Sequence, residues 1–195
     1  MDIKFIISAL LVNLPLALSP GPTNILCLSL SSSQGFKKTL NFIAGLQVLP
    51  FIYSLIVAIG AEEILSKFNN ISMVAKVIGS LYMLYLAISM IRSDGSIERR
   101  KEVKGGFFHG IMAQALNPKN ITIIITVYSL FSKEAENHLY GIVLAVIITL
   151  CNLLSHLTWS FTSQMILRNK NNFFNNHQDK IFGVLLLLAI ILLWV

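Results

Sequence analysis

ALSPGPTNIL, residues 17–26, sets two prolines around a glycine, with Ser, Thr and Asn beside them, in the middle of an otherwise apolar run. Proline lacks the N–H that a helix needs, its ring clashes with the carbonyl one turn back, and glycine is the next-worst helix former. In hydrocarbon no water satisfies the backbone groups released by such a break, so irregular backbone survives there only against protein or a water-filled cavity. The stretch therefore predicts a membrane-spanning helix that is interrupted at depth.

The rest of the chain supports a membrane setting. Of 195 residues, 55% are hydrophobic and only 12% charged, with a mean hydropathy of +0.72, which excludes an ordinary soluble domain. A spanning helix needs about 20 mostly apolar residues, and six runs qualify, over residues 5–30, 41–60, 73–91, 107–131, 139–165 and 181–195. The fold class expected is all-α integral membrane, in a single domain over residues 1–195. The longest polar connection, 92–106, leaves no room for a nucleotide-binding domain, so the work is expected inside the bilayer and driven by a gradient. Residues 1–19, with Lys4 and a short apolar run, have some features of a cleaved signal, but the apolar pattern resumes at Ile25, which favours retention as a span. Cys27 and Cys151 fall in separate spans without CxxC spacing and read as core residues.

Charge sets the orientation. Alternating the connections gathers ten cations on one side, Lys37, Lys38, Arg92, Arg99, Arg100, Lys101, Lys104, Arg168, Lys170 and Lys180, against Lys4, Lys67, Lys76 and Lys133 on the other. The positive-inside rule then places both termini outside and the first, third and fifth loops in the cytoplasm. The basic run ERRKEVK, residues 98–104, reads as an anchor near anionic lipid rather than a nucleic-acid site, because no folded basic domain surrounds it.

The interruption has an echo. QALNPKNI in the fourth span aligns with LSPGPTNI in the first, setting Pro118 on Pro22, Asn120 on Asn24 and Ile121 on Ile25. KVIGSLYML from Lys76 likewise aligns with KIFGVLLLL from Lys180, setting Gly79 on Gly183 and Leu81 on Leu185. The two offsets, 96 and 104, define one three-helix unit occurring twice, over about 1–92 and 107–195. An odd number of spans per unit makes the second enter the membrane from the opposite face. Inverted repeats with broken helices in matching positions point to a secondary transporter whose site lies where the halves meet. Proline kinks of purely architectural value are the competing reading.

The chemistry of such a break suits a zwitterion. Carbonyls before the prolines, around Leu16 and Leu18, lose their partners and become acceptors for an ammonium. Beyond the break Gly21 suits the cap and Pro22 the first helical position, which turns the N–H groups of Thr23 and Asn24 toward the gap; Asn117 and Pro118 repeat the design. A restarted helix N-terminus favours an anion. The expected site is Pro20, Gly21, Pro22 and Asn24 against Asn117, Pro118 and Asn120.

These residues carry a resemblance. SPGPTNILCLSLSSSQGFKKTLNFIAG, Ser19 to Gly45, resembles the Pro-Gly-Pro-Asn first-helix motif and following Gly-Phe turn of the LysE/RhtB superfamily of bacterial amino-acid exporters, and ALNPKN resembles its Asn-Pro-Lys motif. The likeness extends over nearly the whole chain and, in GPTNILCLS, is most similar to the cysteine and O-acetylserine branch. It implies a plasma-membrane exporter of amino acids or related metabolites, driven by the proton motive force, and admits a homodimer, although no dimerisation motif stands out. Thr23 departs from the Asn that many members carry there.

Other residues are candidates in their own right. Lys119 is the only cation deep in a span, able to bind a carboxylate or accept a proton, or else to snorkel to an interface. Thr149, Asn152, His156, Ser160 and Ser163 form a polar stripe at helical spacing in the fifth span, with His156 able to titrate near neutral pH; helix-to-helix hydrogen bonding is the plainer role. Gln47, Gln114, Tyr82 and Tyr85 are further pathway candidates. All nine carboxylates, Asp2, Glu62, Glu63, Asp94, Glu98, Glu102, Glu134, Glu136 and Asp179, lie in loops or at helix ends, so the usual buried acidic proton relay is missing. A small intramembrane thiol-redox or other enzyme using Cys27, Cys151 or His156 is the alternative. No HExxH pair, glycine-aspartate protease motif or paired cysteines supports it, and no metal or cofactor is expected. Cysteine replacement separates the two, since an exporter should largely survive it.

Overall fold

The computed structural model describes residues 3–66, 105–135 and 137–168, together with isolated positions between 77 and 92 and between 177 and 191. Among these residues all regular structure is helical: α1 (Ile3–Leu18), α2 (Pro22–Gln34), α3 (Phe36–Ser66), α4 (Phe107–Ala115), α5 (Pro118–Leu130), the single turn α6 (Ser132–Ala135) and α7 (His138–Arg168). The isolated positions from 77 to 91 and from 177 to 191 are helical too. Tyr82 and Gly79 lie outside the described residues.

The two expected breaks are present, and their causes are local. α1 tolerates Pro15, whose carbonyl still accepts the Ser19 N–H at 3.0 Å, but the helix ends at Leu18 as Pro20 and Pro22 approach. Gly21 is extended (φ −161°, ψ 171°), Pro22 opens α2, and the two segments meet at 60°. The run expected at 107–131 divides the same way: α4 stops at Ala115, Asn117 is extended (φ −92°, ψ 97°), and Pro118 opens α5. α2 and α3 are joined through Gly35, whose φ of 88° lies in the left-handed region that a side chain disfavours.

α3 and α7 contain the two helices long and apolar enough to cross a membrane by themselves, over Phe36–Gly60 and His138–Ser163, and the bent α1–α2 pair passes the same test together. α3 kinks at Gly60 (φ −123°, ψ 34°). α7 is patterned inside out. Leu139, Ile142, Val146, Leu150, Leu154 and Phe161 are exposed, whereas Asn152, Ser155, His156, Ser160 and Ser163 are buried. Apolar side chains outward and polar ones inward suit hydrocarbon as solvent.

Contacts along α7 fix the packing. Thr23 pairs with His156 and Ser31 with Ser160, so α2 runs parallel to α7; Gly141 lies on Ala58 and His156 on Gln47, so α3 runs antiparallel to it. α3 and α4 cross at a glycine pair, because a Cβ on Gly45 would overlap the Phe107 carbonyl and one on Gly110 the Phe42 carbonyl. The later segments touch as well, since a Cβ on Gly183 would come within 2.8 Å of the Ala87 carbonyl oxygen. Three apolar clusters result among the described residues, a small one at Ile25, Leu28 and Ala87 and two larger ones. One of the larger two joins α1, α3, α5 and α7 through Phe5, Val57, Ile124, Phe131 and Leu144; the other joins α2, α3 and α4 through Leu26, Leu30, Phe42, Leu46 and Ala113. Along α3 and α7 the polar residues Gln47, Asn152 and His156 fall between them.

Candidate functional site

Ala17, Thr23, Asn24, Gln114, Asn117, Lys119, Asn120, Ile123, Asn152 and His156 enclose a cavity of about 10 Å³. That is near the space one water molecule requires and far below an amino acid. Of the residues expected at the site, Asn24, Gln114, Asn117, Lys119 and Asn120 line this cavity with Asn152 and His156. Gly21, Pro22 and Pro118 do not line it but shape its walls, since they set where each helix restarts. Pro20 is exposed, and Tyr85 is exposed at 68%.

The break in α1 presents its carbonyls as expected, but protein donors already hold them. Asn24 Nδ2 donates to Ala17 O at 3.0 Å and to Ser19 O at 2.9 Å, folding the α2 side chain back over the end of α1. Ser155 Oγ reaches Ala17 O at 2.8 Å and Asn24 Oδ1 at 3.1 Å. Leu18 O accepts from Trp159 Nε1 at 3.0 Å, and Leu16 O from Ser19 Oγ at 2.8 Å. Lys119 reaches the same broken end of α1. Its Nζ donates to Ala17 O at 3.3 Å and, in a shorter contact, to Ser19 O. Its stem passes over Gly21, where a Cβ would stand 2.6 Å from Lys119 Cδ.

A second chain of bonds crosses the cavity. Gln47 Nε2 lies 3.0 Å from His156 Nδ1, so with the amide donating, a neutral imidazole carries its proton on Nε2 and offers it to Thr23 Oγ1 at 3.1 Å. Asn117 Nδ2 donates to the same Thr23 oxygen at 3.0 Å and to Gln114 Oε1 at 3.1 Å. Asn117 was expected to cap α5. It holds the cap position, yet its side chain makes no capping bond: Thr23 and Gln114 hold its Nδ2, and its Oδ1, the atom that would accept in a cap, stays without a partner, while α2 likewise starts without a side-chain cap. Asn152 Nδ2 donates to Asn120 Oδ1 at 3.1 Å. Asn117 Oδ1 and Asn120 Nδ2, both buried in cavity-lining residues, have no protein partner.

Thr23, read in the sequence as a backbone donor and as a departure from the family pattern, thus joins His156 and Asn117 through its side chain. Ser155 was missed. Within the expected stripe, Thr149 and Ser163 turn to their own helix, bonding Ala145 O at 2.8 Å and Ser160 O at 2.7 Å, whereas Ser160 Oγ reaches across to Cys27 O of α2 at 3.4 Å. Cys27 and Cys151 are free, buried thiols on α2 and α7, and among the described residues no three His, Cys, Asp or Glu side chains gather as a metal set.

A helical assembly with an apolar exterior and a buried polar centre at two helix breaks defines a transmembrane protein with the makings of a solute path. The chain belongs to the LysE type translocator family, whose pattern matches residues 14–194. It is similar to the cysteine/O-acetylserine efflux proteins of Klebsiella pneumoniae (29% identical over 153 residues, 78% of each chain) and Salmonella typhimurium (27% over 156 residues, 78% of each). It is also similar to a homoserine/homoserine lactone efflux protein of Salmonella typhimurium, 26% identical over 136 residues, 67% of this chain and 66% of that one. No solved structure matches it.

Proposed function

We propose that the chain is a secondary exporter of small amino acids or their close derivatives in the bacterial inner membrane. Its six spans form two inverted three-helix halves with both termini outside, and the halves rock about the cavity to expose it to one side at a time. The observation that carries this reading is the convergence of the α2 and α5 N-termini, both without side-chain caps, on one cavity whose asparagines keep an unpartnered donor and acceptor. Helix N-termini and the Asn120 amide suit a carboxylate; the Ala17 and Ser19 carbonyls and Asn117 Oδ1 suit an ammonium. Cysteine, O-acetylserine and homoserine, named for the relatives, all carry that pair of groups at one end, beside a short side chain, whereas homoserine lactone, also named, keeps the ammonium but has its carboxyl in a ring ester.

The cavity of about 10 Å³ is too small for an amino acid, so loading requires the walls to part. Since every carboxylate lies in a loop or at a helix end, export down the metabolite gradient is favoured over proton exchange through a buried acid. The test is efflux from cells loaded with dipeptides, comparing expressing and empty strains across all released amino acids. Selective release of one or a few, abolished by Pro22→Ala and by Pro118→Ala with the protein still in the membrane, is expected. Equal release by both variants and the parent refutes the site.

A further inference from the structure

The acceptors best suited to a substrate ammonium are occupied by an ammonium of the protein. Lys119 Nζ, from the start of α5, sits on Ala17 O and Ser19 O at the broken end of α1. The stem packs closely over position 21, where a Cβ would stand 2.6 Å from Lys119 Cδ and make the lysine shift. The occupancy is also exchangeable. Asn24 Nδ2 bonds both carbonyls and Ser155 also reaches Ala17 O, so the lysine leaves at little cost while the site is open to water, whereas in a closed site the second lone pair of Ser19 O then needs another donor.

We propose that Lys119 is a tethered stand-in for the substrate's ammonium: it fills the ammonium subsite of the unloaded carrier, and the arriving substrate displaces it. This rests on the exporter reading above and deepens it. A carrier that works down a gradient must return unloaded, and a site that closes on unpaired polar groups at membrane depth pays their desolvation. With Lys119 in place the unloaded site closes with its acceptors satisfied, so return needs no counter-ion. The loaded carrier has the substrate's own ammonium there and does not need the lysine for crossing.

The two legs of the cycle can be separated in proteoliposomes holding labelled cysteine, O-acetylserine or homoserine, each in turn. Net efflux into plain buffer requires the unloaded return; exchange against the same unlabelled compound outside does not. Loss of a charge-assisted hydrogen bond from the return leg is expected to slow net efflux about tenfold or more in Lys119→Ala, while exchange stays within about twofold of the parent. Lys119→Arg, which retains the cation and its reach, should keep the parent ratio of net efflux to exchange, and Lys119→Gln carries the test if the alanine variant does not reach the membrane. If net efflux and exchange fall together by the same factor, or neither falls, the stand-in role is wrong while export stands. If the parent protein moves none of the three compounds, both readings fall.

Discussion

Asn24 and Asn120 occupy matching positions in the two broken motifs, and on sequence alone their replacement by alanine should be equally severe. Their bonds say otherwise. Asn24 makes three contacts: Nδ2 to Ala17 O at 3.0 Å, Nδ2 to Ser19 O at 2.9 Å, and Oδ1 with Ser155 at 3.1 Å. Asn120 makes one, accepting from Asn152 at 3.1 Å, and its Nδ2 has no protein partner. At about 1 kcal/mol net per hydrogen bond, Asn24→Ala forfeits about 3 kcal/mol, reduced to about 2 because Ser155 and Lys119 still reach the carbonyls. Asn120→Ala forfeits about 1 kcal/mol and removes a buried donor that was already unpartnered, which offsets part of it. The measurement is reversible unfolding of the purified protein in mixed micelles, beside efflux activity per folded molecule. Asn24→Ala should shift the folding equilibrium about 30-fold, whereas Asn120→Ala should fold nearly as the parent and lose transport through a weaker apparent affinity. Equal destabilisation by the two, or a larger one for Asn120→Ala, refutes the assignment of Asn24 as the clasp of the break and Asn120 as a ligand group.

Two further outcomes follow from the glycines. Gly45→Ala and Gly110→Ala each drive a Cβ into a backbone carbonyl of the facing helix, which cannot swing aside, so each should cost about 1–3 kcal/mol or more in the same unfolding assay; the double variant should cost less than the sum, because one separation of α3 from α4 relieves both clashes. Gly21→Ala meets a side chain rather than backbone, with its Cβ 2.6 Å from Lys119 Cδ. It should leave folding nearly intact and lower net efflux relative to exchange in the same direction as Lys119→Ala, and an unchanged ratio would mean that the lysine finds the carbonyls by another path.

What the sequence could announce was whatever breaks a local rule. Two prolines around Gly21 and the Asn-Pro pair at 117–118 cannot continue a helix, so both interruptions were legible, and Lys119 stood out as a cation among apolar residues. The hydroxyl residues were not legible in the same way. Thr149, Thr158 and Thr162 each return a bond to the carbonyl four residues back on α7, at 2.8 Å in every case, while Ser155 on the same helix reaches across to α1. A serine or threonine in an apolar helix has both options, and only the neighbour's position selects one. The Gly45–Gly110 crossing escaped for the same reason: each glycine is unremarkable on its own helix, and the constraint exists only between them.

The state of the donors and acceptors at the break then bears on the order of events. A helix N-terminus gains about 1 kcal/mol from a side-chain cap, and Asn117 stands where it could supply one to α5, yet Thr23 and Gln114 hold its Nδ2, its Oδ1 stays without a partner, and both restarted helices remain without a side-chain cap. The carbonyl side is the reverse, with Asn24, Ser155 and Lys119 all engaged. Under the proposed function the carboxylate of an incoming zwitterion therefore meets donors free of side-chain caps, whereas its ammonium must displace an occupant. Binding would begin at the carboxylate and finish at the amine. One ammonium or the other thus fills the subsite on both legs of the cycle, so that crossing in either direction keeps the carbonyls at the break paired.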